Sequence, residues 1–115
     1  MDAPLLHIAP RALWDAAVAA GTNYTDPSLE SEGFIHLSTP AQVLIPANER
    51  FAGRQDLVLL VIDADRLSDE VIFEDCYESG LEFPHLYGPL PVEAVTQVLD
   101  FAPSSDGTFE LPEGI

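Results

Sequence analysis

Short apolar stretches alternate with polar turns along the chain, and their periods predict a mixture of strands and helices. Residues 5–8 form a short β-type run, and in residues 11–20 the apolar side chains recur at helical spacing before Gly21. Pro10 stands where the first position of a helix tolerates proline. We therefore predict a strand followed at once by a helix that packs by one face.

The second half of the chain carries the strongest strand signal. Residues 57–62 are six consecutive apolar residues, the pattern of a strand buried on both faces, and we expect this strand at the centre of the sheet. Residues 71–73 and 95–101 predict two further strands. Turn-rich stretches at residues 22–33 and 78–91 predict irregular loops.

One more strand and one more helix are predicted between residues 34 and 51. Phe34, His36 and Ser38 would share one face of the strand, because side chains alternate along it. A capping-box pattern that begins at Thr39 opens the helix, and Pro46 should kink it.

The order of these elements favours an α+β fold. Helices of the usual crossover length are absent between the later predicted strands, which argues against a doubly wound parallel sheet. We predict a single domain over residues 1–101, with a mixed or antiparallel sheet and two main helices. Residues 102–115 hold three acidic residues, two prolines and no base, and are expected to form a loosely attached acidic tail.

Charge narrows the classes of partner. The chain has 4 basic and 20 acidic side chains, a net charge of −16, which excludes the basic surface that binding to nucleic acid or anionic membranes requires. Its 47% hydrophobic content is too high for a disordered acidic chain. A single cysteine and the lack of a signal-peptide pattern predict a cytoplasmic protein, which we expect to be a monomer or a weak dimer.

The candidate chemistry lies in three histidines, His7, His36 and His85. Each alone is compatible with a structural histidine bonded to backbone. A three-histidine metal site is one functional alternative, but separations of 29 and 49 residues place no two of them on one element, so no metal is expected. The other alternative uses the imidazoles as hydrogen-bonding groups for a small ligand.

The segments around these histidines resemble the bacterial domain-of-unknown-function family 952. The resemblance extends from Leu5 to Leu99, beyond any single motif. Its blocks here are His7-Ile8-Ala9, Trp14, Ala17, Gly21, Ser31-Glu32-Gly33-Phe34-Ile35-His36-Leu37-Ser38 and Phe83-Pro84-His85-Leu86-Tyr87-Gly88-Pro89-Leu90.

That family is similar to the ADP-ribosyltransferase superfamily. Its sequence pattern resembles that of the NAD-using RNA 2′-phosphotransferases. The resemblance implies a split sheet with NAD in the cleft between its halves, His7 bonding a ribose, and His36 with Ser38 bordering the nicotinamide. A helix that opens at Arg11 directly after the first strand would offer its amide groups and the guanidinium to the pyrophosphate.

On this interpretation the chain transfers ADP-ribose or otherwise cleaves NAD. The catalytic candidates are His36, His85 and Glu82, with Glu74 and Glu32 as further candidates for the acid, and the cofactor-binding candidates are His7, Arg11, Ser38 and Tyr87. No arginine stands near His36 in the sequence, so a nucleic-acid phosphate is not expected as acceptor. Two alternatives stay open, a catalytically inactive module that binds a nucleotide or small metabolite, and a three-histidine metal-dependent enzyme.

Overall fold

Two three-stranded antiparallel sheets form the frame of the protein, as described by a computed structural model for residues 4–75, 80–112 and 115. The first sheet has the order β1-β3-β6, with β1 at Leu5–Pro10, β3 at Leu57–Ile62 and β6 at Val95–Phe101. The second has the order β2-β5-β4, with β2 at Ile35–His36, β5 at Phe83–Leu86 and β4 at Val71–Glu74. The protein is a small single-domain α+β fold, so the predicted fold class is confirmed.

The apolar run in β3 lies where the sequence places it, in the middle of the first sheet. All six of its side chains are buried. Alternate residues enter two different clusters: Val58, Leu60 and Ile62 pack with residues of α1, β2 and β5, while Leu57, Leu59 and Val61 pack with residues of α3 and β6. Both faces of the first sheet are therefore covered, which explains why the strand has no polar position.

The three α-helices of the described residues are α1 at Arg11–Ala20, α2 at Pro27–Glu32 and α3 at Leu44–Arg50. The first was predicted with its correct bounds, and Gly21 closes it in the left-handed conformation at φ 68°. Pro10 is the extended residue that ends β1 and caps the helix, rather than its first helical residue.

The helix α2 corrects the prediction of a loop over residues 22–33. Asp26 is its N-cap and accepts the backbone N–H of Ser28 at 3.0 Å, and Pro27 is its first residue. An Asp-Pro pair favours a turn and a helix start alike, so the local signal does not distinguish them. The expectation of two main helices missed this one.

The predicted helix over residues 39–51 begins later than expected. The Thr39 carbonyl accepts the N–H groups of Gln42 and Val43 in a separate turn, and α3 starts only at Leu44. Pro46 consequently lies in the first helical turn, where its missing N–H leaves no bond unmade, and the predicted kink is wrong.

The strand β5 lies inside the stretch that was predicted to be irregular. Its middle contains Pro84, a residue that normally argues against a central strand. Pro84 nevertheless contributes its carbonyl, which accepts the N–H of Leu37 at 3.0 Å. Residues 76–79, part of which belong to the predicted loop, lie outside the described residues.

The C-terminal segment is docked on the first sheet, which corrects the expectation of loose attachment. Phe109 is 3% exposed, and its ring stacks on Phe101 with 4.6 Å between centroids. Its backbone N–H donates to the Asn48 side-chain oxygen at 2.7 Å. Phe109 and Ile115 both pack against the second cluster, and the Gly107 carbonyl accepts the Gly53 N–H at 3.1 Å. Composition does not reveal these contacts.

No helix in the described part of the chain is long and apolar enough to cross a membrane.

Candidate functional site

The two sheets meet at one antiparallel bridge and then part. Leu6 and Ser38 exchange both backbone hydrogen bonds, each at 2.7 Å. The next such pair along an antiparallel ladder would join Ile8 to His36. Instead, the His7 side chain donates its Nδ1–H to the His36 carbonyl at 2.6 Å. A side-chain hydrogen bond thus takes the place of a backbone hydrogen bond of the ladder, and a cleft opens where β1 and β2 separate.

The cleft has a volume of about 390 Å³, within the range of about 300–1,000 Å³ that small-molecule sites occupy. Strands of both sheets supply its floor, and α3 forms one wall. Its polar lining residues are His7, Asp26, His36, Ser38, Glu49, Arg50 and His85, and its apolar ones are Ile8, Leu37, Ile45, Pro46, Phe51, Leu81 and Phe83.

All three histidines of the chain line this cleft. His7 comes from β1, His36 from β2 and His85 from β5. His36 and His85 lie directly opposite each other in the β2–β5 register, with 5.3 Å between ring centroids. Separations that looked unhelpful in the sequence are bridged by strand pairing.

Each histidine also faces a carboxylate. Two of the three acids, Glu32 and Glu74, were minor candidates in the sequence, behind Glu82. The pairs are His7 Nε2 with Asp26 Oδ2 at 3.3 Å, His36 Nε2 with Glu32 Oε2 at 2.9 Å, and His85 Nδ1 with Glu74 Oε1 at 2.9 Å.

His7 and Asp26 form the most deeply placed of these pairs. His7 is 4% exposed, and its Nε2, although near Asp26, has no partner in hydrogen-bond geometry among the described residues. Burial acts to raise the pKa of Asp26, but the neighbouring His7 imidazole and the Ser28 N–H outweigh it and hold that pKa well below its usual range. The carboxylate is therefore ionised at neutral pH.

Tyr24 closes the inner side of this pair. Its side chain is fully buried, its hydroxyl donates to Asp26 at 3.3 Å, and its ring lies 5.5 Å from that of His7. Burial raises the pKa of Tyr24, and the charge and hydrogen bond of Asp26 raise it further. The phenol remains a donor at neutral pH.

His36 has the most exposed side chain of the three histidines. Burial lowers its pKa, and the electrostatic influence of Arg50 and of the neighbouring His85 adds to this effect, while the hydrogen bond and charge of Glu32 oppose it. The imidazole is therefore neutral near pH 7, the form in which it can accept a proton.

His85 is enclosed by an aromatic ring and an acid. It is 1% exposed, and Phe34 stacks on it with 4.0 Å between centroids and 13° between planes. Its Nδ1–H donates to Glu74 Oε1, which also accepts the Tyr87 hydroxyl. The hydrogen bonds from Tyr87 and His85 lower the pKa of Glu74.

Helix α3 places a basic residue, Arg50, in the cleft, although no arginine lies near His36 in the sequence. Arg50 lines the same cleft as His36, although 14 residues separate them in the sequence. The expectation that no arginine stands beside His36 is therefore wrong in space. Pro46 and Arg50, both lining residues, are four positions apart, which is the spacing of one helix face.

Five residues predicted for the site do not line the cleft. Two of them, Glu32 and Glu74, pair with histidines that do line it, and the other three make contacts elsewhere. Arg11 pairs with Asp100 of β6, and the first amide of α1 donates to the Asp56 carbonyl at 2.8 Å. Glu82 contributes its carbonyl to the Gln42 amide. Tyr87 does not line the cleft, but its hydroxyl donates to Glu74, and its ring lies 5.4 Å from that of Phe34. Of the predicted residues, the cleft thus gathers His7, His36, Ser38 and His85.

The described residues contain no group of three or more His, Cys, Asp or Glu side chains arranged to hold a metal ion.

The fold and site together define a class of small α+β proteins in which two antiparallel sheets part over a cleft lined by histidines. The chain belongs to the family described as "Protein of unknown function (DUF952)", which it matches over residues 8–98, so the predicted family membership is confirmed.

Solved structures of one protein resemble this chain closely. Crystal structures of protein CC0527 from Caulobacter crescentus and of its double mutant are 38% and 37% identical, with TM-scores of 0.83 and 0.82 and 94% of each chain covered. The solution NMR structure of CC0527 is 37% identical, with a TM-score of 0.81, and covers 97% of this chain and 96% of that one. No curated protein matches the sequence.

Proposed function

We propose that the cleft binds NAD and that the chain cleaves it, transferring the ADP-ribosyl group to water or to an acceptor that is not a nucleic acid. The observation that carries the proposal is the convergence of His7, His36 and His85 on a cleft between two parting antiparallel sheets. A split sheet of this kind is what the resemblance to the ADP-ribosyltransferase superfamily implies.

The His7–Asp26 pair suits a ribose. Nδ1 of His7 is occupied by the His36 carbonyl, so Nε2 is a buried group in need of a partner, and the Asp26 carboxylate, which can accept further hydrogen bonds, lies 3.3 Å from it on the cleft wall. Leaving buried polar groups without partners is costly. Two neighbouring hydroxyls of a ribose would provide a hydrogen bond for each.

Arg50 suits the pyrophosphate of the same ligand. Guanidinium groups bind phosphate oxygens in pairs, and Arg50 brings a fixed positive charge into the cleft. Arg11 pairs with Asp100 outside the cleft, so we assign the pyrophosphate contact to Arg50 instead of Arg11. The apolar side chains of Ile45, Phe51 and Phe83 offer a surface for a flat ring such as nicotinamide.

The chemistry is a substitution at the ribose carbon that carries nicotinamide. The C1′–N bond breaks and its electron pair leaves with nicotinamide, whose ring nitrogen becomes neutral, while an oxygen of the acceptor bonds to C1′. His36 and Ser38 orient the ribose, and His85 takes the proton that the acceptor hydroxyl loses. The ionised Asp26 stabilises positive charge that develops on the sugar.

A binding module without catalysis is the second candidate. The observation that favours it is the position of Glu82, the acid first predicted for the reaction, whose side chain does not line the cleft. In that case the same contacts would hold a nucleotide or small metabolite unchanged.

Titration with NAD, followed by amide shifts in 15N-labelled protein, tests the proposal directly. Shifts confined to cleft residues are expected, together with release of nicotinamide that His36→Ala lowers about a hundredfold. The matched control is Arg66→Gln, because Arg66 binds the Glu93 carbonyl and Asp63 away from the cleft. Binding without nicotinamide release supports the binding module, and no response at millimolar NAD overturns the proposal that the cleft binds and cleaves NAD.

A further inference from the structure

Two residues that do not line the cleft form a hydrogen-bonded chain with His85. Glu74 Oε1 accepts from His85 Nδ1 at 2.9 Å and from the Tyr87 hydroxyl. His85 lines the cleft, whereas neither Glu74 nor Tyr87 does. The chain therefore runs from the surface, through the acid, to the imidazole at the site.

The strand register builds this arrangement. Ile72 of β4 lies opposite His85 of β5, and Glu74 is two residues further along β4 on the same face. Such diagonal neighbours lie close enough for long side chains to meet. Tyr87 directly follows β5, two residues after His85, and its hydroxyl donates to the same carboxylate.

The contact fixes which nitrogen of His85 carries the proton. An ionised carboxylate can only accept, so Nδ1 must be the donor. A neutral imidazole then has its lone pair on Nε2, at the ring edge turned from Glu74. The ring of Phe34, stacked on His85, opposes rotation of the imidazole out of its plane.

We propose that Glu74 and Tyr87 are positioning residues, which hold His85 in its Nδ1–H form so that Nε2 presents a lone pair to the ligand. The use of that lone pair rests on the proposed function: Nε2 receives the proton of the acceptor hydroxyl as its oxygen bonds to C1′ and nicotinamide leaves. Tyr87 thus acts through Glu74 instead of contacting the cofactor.

The form of the imidazole can be measured without any ligand. The chain has three histidines, so long-range 1H–15N spectra of histidine-labelled protein resolve each ring at a pH where the imidazoles are neutral. We expect His85 to carry its proton on Nδ1 in the wild type and to become a mixture of both forms in Glu74→Ala, with a smaller change in Tyr87→Phe. Glu93→Gln, on an exposed turn, is the matched control and should leave the spectrum unchanged.

Two spectral results overturn the positioning role: wild-type His85 protonated on Nε2, or a Glu74→Ala variant that keeps the proton fully on Nδ1. Should Glu74→Ala fail to fold, Glu74→Gln preserves the size of the side chain. Its neutral amide can donate as well as accept, so it too should weaken the preference for Nδ1–H.

Kinetics separate this inference from the function on which it rests. Glu74→Ala should lower kcat for nicotinamide release about tenfold or more, with KM for NAD within about twofold of wild type, because a base is misaligned and no binding contact is lost. An unchanged kcat overturns the positioning role alone. If wild type releases no nicotinamide, the proposed function fails, and the spectra still decide the role of Glu74.

Discussion

Asp26 organises the inner end of the cleft through several contacts at once. It caps α2 through the Ser28 N–H, accepts the Tyr24 hydroxyl and lies beside His7 Nε2. These contacts explain how a carboxylate that is mostly buried stays ionised. They also make it a test of how strongly the site contributes to stability.

Asp26→Asn should lower the free energy of unfolding by about 1–2 kcal/mol near pH 7, since the charge facing His7 is lost while the cap is kept. The folded-state pKa of Asp26 is lowered. Its contribution is therefore complete above the usual value of about 3.9 and disappears as pH falls through the folded-state pKa. Urea unfolding followed by Trp14 fluorescence at pH 7 and near pH 3 should show the difference shrinking in acid. Asp15→Asn, exposed on α1, is the control, and an equal difference at both pH values would contradict the assignment.

The pKa of His36 provides a second test at the residue scale. Arg50→Gln should raise it, because the positive charge of Arg50, which lowers it, is removed, but not to its usual value, since burial is the larger cause. Glu32→Gln should lower it further. Titration of the His36 ring by NMR measures both changes, and Arg66→Gln should produce neither. A fall in the Arg50→Gln variant would refute the proximity of the two groups.

How much of the site the sequence revealed depends on the residue type. His7, His36 and His85 stood out because the chain has only three histidines. Among 20 acids Asp26 was not a candidate and Glu32 was only a minor one, and their short helix was predicted to be a loop. Partners that meet only through tertiary structure leave no local signal when their residue type is common.

At the scale of elements, α3 and the C-terminal segment show where local patterns mislead. A capping motif at Thr39 predicted an early helix start, but Gln42 bonds the Glu82 carbonyl instead of returning to the cap. Apolar β3 and the α1 stripe were predicted correctly, because burial and helical period act over several residues together.

Pro46→Ala tests the position of the helix start. With α3 beginning at Leu44, the proline costs nothing, and its removal should change stability by less than about 1 kcal/mol, in the destabilising direction, because the unfolded chain becomes more flexible. A proline inside a helix over residues 39–51 would instead destabilise by about 3 kcal/mol, so its removal would stabilise strongly. Urea denaturation distinguishes the two signs.

Phe109→Ala tests the docking of the C-terminal segment. Loss of a buried aromatic ring should lower the free energy of unfolding by about 3 kcal/mol, because it removes the partner of Phe101. Leu111→Ala is the matched control, since Leu111 is 39% exposed and should contribute within about 0.5 kcal/mol. Equal effects for the two variants would mean that the segment is not docked through Phe109.

At the scale of the whole molecule, an acidic surface surrounds two well-filled clusters. The α+β class followed from the order of the elements, whereas the place where the sheets part depends on pairing between residues 6 and 38 and could not be predicted locally. The cytoplasmic location and the monomer or weak dimer state stay predictions.

The net charge of −16 should make stability depend on salt. Raising sodium chloride from about 0.02 to 0.5 M shortens the screening length from about 20 to 4 Å, so repulsion between surface carboxylates weakens. The midpoint of thermal unfolding should rise. Potassium chloride should act alike, because screening depends on ionic strength, and a falling midpoint would show that attractive pairs dominate.

The hydrogen bond from the His7 side chain to the His36 carbonyl makes the junction of the two sheets depend on the identity of one residue. A backbone donor is present whatever residue occupies a position, whereas a side-chain donor disappears when the residue changes. Natural substitution at position 7 would therefore alter the junction of the sheets and the chemistry of the cleft in the same event. A substitution at position 7 therefore cannot change the sheet junction and leave the chemistry of the cleft as it is, or the reverse.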